Sequence, residues 1–523
     1  MKNLKNSLNS NLESLLGKLK EIAHLNGIQS LLHWDQETKM PKEAIGSRTE
    51  QLGTIASTIH RLQSGPEFEN VLKKCVDLRT GDCVLKNASE LETRLLREIH
   101  KDWVKSSCLP ESFVREYQET ISISQNIWAE AREKNDFKLF LPYLEKVVNL
   151  SNQKIEFYQN SSAFNSQKEL TGHPYNFLLD EYESSMTVNE LDPLFSKLEI
   201  GLKEILQKIQ SKNTTPKKMG IKSLHKTKPF FDEKGQWDFG IRVLEDMGYD
   251  FEKGYQEKSS HPFTINFHPN DVRITTRFKE NDLFEGLSSS VHEGGHALYE
   301  QGLLEEWFGT PFCESTSLGI HESQSRFWEN IVGKSRAFWS VYYPILKDIF
   351  PEQLKYTDCE SFYNDINLVN PGEIRVEADE VTYNFHILIR YNIEKKLIEK
   401  SLAPKDLPEY WNNAYSEFIG VTPSSDANGV LQDVHWSSGG IGYFPTYTLG
   451  NIYASQFYEA MSNELNVEEC IRRNQLGKIK NWLNENIHQY GRRYSATELV
   501  SNITNSSISI DPFINYLDKK YLR

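Results

Sequence analysis

None of the six cysteines (Cys75, Cys83, Cys108, Cys313, Cys359, Cys470) pairs with another in a C-x-x-C spacing anywhere in the 523-residue chain. That scatter suggests neither a disulfide framework nor a thiolate metal site, and the cysteines read as ordinary buried or partly buried thiols. No stretch approaches the roughly eighteen consecutive apolar residues that a membrane-spanning helix needs, so no membrane partner is expected. Long basic runs are missing as well. Lysine and arginine number 59 against 73 acidic residues, a formal charge of −14, which argues against a protein that grips nucleic-acid phosphates over a broad surface. From Met1 to Leu16 single leucines alternate with polar residues, without the continuous apolar core of a signal peptide, and a cytoplasmic protein is expected. No internal repeat or low-complexity tract of useful length is visible.

What is present is material for a deep core: 38% hydrophobic, 12% aromatic and 25% charged residues, a balance typical of soluble globular proteins. Apolar residues recur at three and four positions through Leu12, Leu15, Leu16, Leu19, Ile22 and Ala23, as one buried helix face requires. Similar stripes run through Leu91, Leu95, Ile99 and Trp103, through Leu144, Val147, Val148 and Phe157, and through Phe457, Ala460 and Met461. A mainly α fold follows. The Lys, Ser, Thr and Pro content between Ser211 and Lys228 predicts a solvated loop. The chain is therefore expected to form one domain over 1–523, with an N-terminal helical half (about 1–210), the loop (about 211–228) and a catalytic half (about 229–523). A β-hairpin is predicted within Pro262–Phe278, where Phe263, Ile265 and Phe267 alternate, Pro269-Asn270-Asp271 turns, and Val272, Ile274 and Thr276 alternate again.

Residues 292–296 read His292-Glu293-Gly294-Gly295-His296, the H-E-x-x-H pattern, within a helical stripe of Leu283, Phe284, Leu287, Val291 and Leu298. Side chains four apart on a helix share a face, so two neutral imidazoles can converge on one zinc ion. The ion lowers the pKa of a bound water towards roughly 7, and Glu293 stands beside it as general base. Paired glycines inside a helix cost up to about 1 kcal/mol each relative to alanine. Gly294 and Gly295 therefore imply a close approach by another backbone or by substrate, or else tight helix packing. A third histidine six residues on is absent, since Tyr299 and Gly302 occupy the positions where Gly and His would be needed. Glu322, near the start of a second predicted helix, is the expected third ligand, with Glu314 and Glu329 as competitors. His321 reads as a hydrogen-bonding neighbour of the ligands, because a catalytic zinc keeps one position open.

At this point the residues resemble the metallocarboxypeptidases of the carboxypeptidase Taq type. The family's short blocks appear in order: His261-Pro262-Phe263, Asp271-Val272-Arg273-Ile274-Thr275, the zinc helix, His321-Glu322-Ser323-Gln324, Ile374-Arg375-Val376-Glu377-Ala378-Asp379, and Gly429-Val430-Leu431-Gln432-Asp433-Val434-His435-Trp436. The likeness reaches from Leu32-His33-Trp34-Asp35 to Gly491-Arg492-Arg493-Tyr494. It implies a single helical body with a deep groove and a small sheet near the metal, similar to neurolysin and angiotensin-converting enzyme. It also implies a homodimer, removal of single C-terminal residues with broad preference, and zinc or in some members cobalt.

Recognition of a free terminal carboxylate calls for a planar guanidinium. By the resemblance Arg375 serves, whereas on residue type alone Arg273, Arg326 or Arg390 qualifies equally. An oxyanion donor is expected from His435, Tyr443 or Tyr447, since related helical zinc peptidases use a histidine and tyrosine pair. Gln432 and Asp433 are expected to orient His435 or touch substrate, and Asp379 to steer a ligand imidazole. Arg273 and Thr275 fall on the second hairpin strand, whose edge is expected to pair with a peptide backbone. Two other readings use the same residues: an oligopeptidase that cuts internally, and a helical binding protein with a vestigial metal site.

Overall fold

Asn9 caps the first helix, Ser10–Thr38, by accepting from the Asn11 N–H at 3.0 Å, and the predicted stripe buries Leu12, Leu15 and Ile22. The other stripes also lie on helices: Glu90–Ser107, Phe137–Asn160 and Pro445–Glu464. This computed structural model describes residues 9–161, 170–212 and 230–523. Most of the loop expected over about 211–228 falls on residues 213–229, outside that description. The fold is mainly helical with one small sheet. Among the described residues no helix is long and apolar enough to cross a membrane.

Two compact units form, each from separated stretches of chain. Among the described residues the first gathers 9–106, 230–366 and 453–508, and the second gathers 107–161, 170–212, 367–452 and 509–523. The first unit holds the sheet: β1 (Gly254–Lys258), β2 (Thr264–His268) and β3 (Asp271–Thr276). β2 and β3 are the predicted hairpin, paired antiparallel with Ile265 opposite Arg273. β1 is an addition that the alternation did not announce. It pairs parallel with β3, so the strand order is β1-β3-β2 and β3 is central. Val272 and Ile274 are fully buried beneath it.

Beside the sheet runs the helix Leu283–Gly302, started by Asp282, whose side chain accepts from the N–H groups of Phe284 and Glu285. The helix Glu233–Met247 packs on it through Leu244 and Met247, which lie against Gly294. In the second unit the helix Tyr383–Ile398 is buried on every side, carrying His386, Arg390 and Glu394 inward among apolar residues. Polar side chains so enclosed must find partners. His386 meets the Tyr415 hydroxyl, Arg390 meets Asp433, and Glu394 meets the Trp436 indole N–H.

Candidate active site

His292 and His296 share one face of the helix Leu283–Gly302, one turn apart, with ring centroids 4.9 Å from each other. The helix Leu318–Arg326, capped by Ser317, brings Glu322 to them. The approach depends on Gly295: a Cβ there would lie 2.7 Å from the Gln324 carbonyl oxygen and 2.7 Å from the Ser325 Cα. The glycine pair is thus a packing device, with Gly295 admitting a backbone and Gly294 admitting the side chains of Leu244 and Met247. Glu322 Oε2 ends 3.4 Å from His296 Nε2 and 3.7 Å from His292 Nε2. One donor atom from each of the three residues lies within 4.8 Å of the others. Tetrahedral ligands about 2.0–2.2 Å from a zinc-sized ion sit about 3.3–3.6 Å apart. Two nitrogens and one carboxylate at this spacing therefore fit a divalent cation.

The outer contacts hold these donors in place. His292 Nδ1 lies 2.8 Å from Glu329 Oε2, which leaves Nε2 facing Glu322. Glu329 also accepts from Ser288 at 2.8 Å and from Arg326 at 3.3 Å. It reaches the site on a π-helical turn, Phe327–Val332, directly after the glutamate helix. Arg326 donates to Glu322 Oε1 at 2.6 Å, so the other oxygen points to the histidines. Burial opposes ionisation of Glu322, yet Arg326 and the imidazoles hold its carboxyl well below the usual range. Burial, then His321, pushes His296 down to about 3, which keeps it neutral as a ligand should be. His321 stacks on His296 with centroids 4.4 Å apart and bonds Glu300 at 2.8 Å, as a neighbour and not a member of the donor set.

Glu293 lies on the same helix, buried to 7% exposure. Thr264 on β2 donates to its Oε2 at 2.6 Å, and the same hydroxyl is 3.0 Å from the Glu293 carbonyl oxygen. Burial raises the Glu293 carboxyl above its ordinary pKa, against the pull of His292 and Thr264. A carboxylate so placed holds a proton more readily than an exposed one.

In the second unit Arg375, Asp433 and Arg390 form a buried charge chain. Asp433 accepts from Arg375 Nε at 2.8 Å and from Arg390 Nε at 2.7 Å. Burial opposes it, but the two guanidinium groups keep Asp433 ionised far below the usual carboxylate range. Arg375 Nη1 donates to the Tyr383 hydroxyl at 3.1 Å, and its guanidinium lies over Tyr447 at 5.1 Å. Among the described residues its Nη2 makes no hydrogen bond. His435 Nε2 is 3.1 Å from the Tyr447 hydroxyl, and its ring lies 5.3 Å from that of Tyr443. Burial, then Arg375, drives His435 down to about 3, so the imidazole is neutral. Among the described residues its Nδ1 is buried without a partner.

Several expectations meet a different geometry. β3 is the central strand and both its edges are paired, so it has no edge to offer a peptide; among the described residues the outer strand of the hairpin is β2. Arg273 is closed on Asp271 through two hydrogen bonds of 2.8 and 2.9 Å and stacks over Phe267. Gln432 accepts from the Arg375 N–H at 2.9 Å and donates to the carbonyls of Glu373 and Asn428, so its amide is spent inside the unit. Asp379 caps its own turn through the N–H groups of Val381 and Thr382; the acceptor on the ligand imidazole is Glu329. Glu314 pairs with Arg492 at 2.9 Å and lies outside the donor set. Thr264, and Lys334, whose ammonium lies 3.7 Å from Glu329 Oε1, are additions, and neither carried a motif signal.

A profile of the family described as Carboxypeptidase Taq (M32) metallopeptidase matches residues 14–521. The thermostable carboxypeptidase 1 of Thermus thermophilus is 38% identical over 97% of this chain and 98% of its own length. A Pyrococcus furiosus carboxypeptidase structure, described as Apo-Mg, superposes with a TM-score of 0.91 at 35% identity, covering 98% of this chain and 99% of that one. The M32 carboxypeptidase of Deinococcus radiodurans R1 gives a TM-score of 0.90 at 35% identity, with the same coverage.

Proposed function

From the fact that this chain belongs to the carboxypeptidase Taq (M32) metallopeptidase family and is a metallocarboxypeptidase, we propose that it uses zinc, or alternatively cobalt, held by His292, His296 and Glu322. The family implies a divalent metal. Zinc suits two imidazoles and one carboxylate with room left for solvent. A zinc ion held there supplies Lewis acidity and makes water acidic near neutral pH.

Glu293 takes the proton from the attacking water and returns it to the leaving amine. Arg375 receives the terminal carboxylate. Its Nη2 has no partner among the described residues, while the chain Arg375–Asp433–Arg390 carries one net positive charge that a carboxylate neutralises. Of the oxyanion candidates we favour the Tyr447 hydroxyl, oriented by His435, over His435 itself, whose Nδ1 is enclosed and whose Nε2 is engaged. Tyr443 packs on the same imidazole. Arg273 and Gln432 belong to the framework on this reading, because Nε and Nη2 of Arg273 are held by Asp271 and both amide atoms of Gln432 are bonded inside its unit. The six cysteines are all unpaired thiols, which suits a reducing compartment. We place the protein in the cytoplasm, and on the family resemblance as a homodimer, testable by sedimentation.

The observation that carries the reading is the meeting of three metal-suited donors at 3.4 and 3.7 Å beside a buried glutamate. Zinc-loaded protein should shorten a free-acid peptide from its C-terminus and spare the corresponding C-terminal amide, followed by mass spectrometry. Equal cleavage of both peptides would leave an internally cutting oligopeptidase. No cleavage of either by metal-loaded protein would leave a binding protein.

A further inference from the structure

We propose that Thr264 is a positioning residue for peptide hydrolysis: its hydroxyl anchors Oε2 of Glu293, so that Oε1 alone carries the proton from water to the leaving amine. The inference rests on the reading of Glu293 as the base. Thr264 stands on β2, opposite Ile274 of β3. That strand is pinned beside the site, because the Thr275 hydroxyl accepts from the Phe263 N–H at 2.9 Å and the Thr275 N–H donates to the Phe263 carbonyl at 2.8 Å. A β-branched residue on a paired strand has little rotamer freedom.

The hydroxyl carries one proton and faces two acceptors, the carbonyl oxygen of Glu293 at 3.0 Å and its Oε2 at 2.6 Å. The shorter contact is to the ionised group, and charge-assisted bonds are the stronger ones. Among the described residues Thr264 is the only hydrogen-bond donor to the Glu293 carboxylate. Without it a side chain with three rotatable bonds would have to hold its direction by packing alone, against its rotamer entropy.

The consequence is directional. With Oε2 occupied by a donor, the proton released as the water O–H bond breaks forms its new bond at Oε1. When the C–N bond of the tetrahedral adduct breaks, Oε1–H gives that proton to the amine nitrogen, and Glu293 returns to a carboxylate still held by Thr264. Water and peptide are consumed, acid and amine are produced, and the side chain ends as it began.

Thr264→Val keeps the shape and removes the donor, and Thr264→Ser keeps the donor. With zinc-loaded enzyme and an N-blocked dipeptide bearing a free carboxylate, the valine variant should lose about 10- to 100-fold in kcat. Its KM and zinc content should match the parent, and the serine variant should recover most of the loss. Thr264→Ala is the second variant should the valine protein fail to fold, with the same expectation. A valine variant within about twofold of the parent kcat would overturn the proposal. So would loss of zinc from the valine variant, or a serine variant as slow as valine, because either would make Thr264 a framework residue. Glu293→Gln separates the two levels: if it binds zinc and still turns over, the base assignment fails whatever Thr264 shows.

Discussion

A single methyl group added at Gly295 tests whether one helix contact sets the metal site. An alanine Cβ there would meet the Gln324 carbonyl oxygen and the Ser325 Cα at 2.7 Å, where ordinary contact begins at 3.4 Å. Both are backbone atoms, so no rotamer change relieves the clash, and the helix Leu318–Arg326 must withdraw by about 0.7 Å. Glu322 lies within one turn of Ser325 and withdraws with it, taking its oxygen from 3.4 Å to about 4 Å from His296 Nε2. Metal sites tolerate only about ±0.2 Å in ligand distance. Overpacking of this kind costs about 1–3 kcal/mol, and the better helix propensity of alanine recovers up to ~1 kcal/mol of it. The expected result is a modestly less stable protein whose zinc affinity falls by about 10- to 100-fold, the range seen when groups supporting a metal site are disturbed. Gly294→Ala is the control. Its Cβ would meet only the Cδ2 of Leu244 at 2.5 Å and the Cε of Met247 at 3.2 Å, ends of side chains that can swing away. Competition with a chromophoric zinc chelator at fixed pH reads both variants. Equal zinc affinity for Gly295→Ala and the parent would refute the claim that this contact sets the ligand spacing.

Arg375→Ala should lower kcat/KM on free-acid peptides by about 100-fold, since on the proposed reading it removes a charged partner of the substrate. Arg375→Lys should recover little of this, because an ammonium cannot offer two parallel bonds; steady-state kinetics on both variants checks the pair. Removing the metal with a chelator should abolish turnover and lower the melting temperature, with zinc at about a thousand times its Kd contributing about 4 kcal/mol; an unchanged calorimetric melt would contradict a site formed in the native state. Glu394, fully buried, is pushed up to about 7 by burial despite bonds from Tyr175, Gly442 and Trp436. Its native pKa lies above the unfolded value of 4.5, so the native state binds the extra proton and stability falls as pH rises from about 4.5 through about 7. The size is about 3 kcal/mol at most. The difference in unfolding free energy between Glu394→Gln and the parent should change with pH across that window, and a pH-independent difference would dismiss the assignment.

What the amino-acid order announced, and what it withheld, depends on the range of the interactions. The pair His292 and His296 was readable because both lie on one helix, where spacing along the chain is spacing in space. Gly295 was readable as a place of close approach, but not which backbone would arrive. Glu314, Glu322 and Glu329 were equivalent as residue types, and what separates them is local geometry. Glu314 is drawn off by Arg492. Glu322 sits on the helix that Gly295 admits. Glu329 is carried to the far nitrogen of His292 by a π-helical turn, a backbone state with no compositional mark. β1 was missed for a similar reason: Gly254-Tyr255-Gln256-Glu257-Lys258 shows no apolar alternation, and its place is set by parallel backbone pairing to β3.

The same division explains the second unit. Asp433 meets Arg390 across 43 residues and Arg375 across 58, and nothing in the intervening chain encodes those distances. The driving force is instead the burial of the helix Tyr383–Ile398 on all sides. A guanidinium on such a helix cannot stay unpaired in an apolar surround, so the fold must bring it a carboxylate, and Asp433 answers for both arginines at once. One negative charge against two positive ones leaves the cluster short of an anion. A peptidase that selects a free terminus needs a site in that state, and this surplus, more than the identity of any single arginine, is the physical reason to expect a carboxylate there.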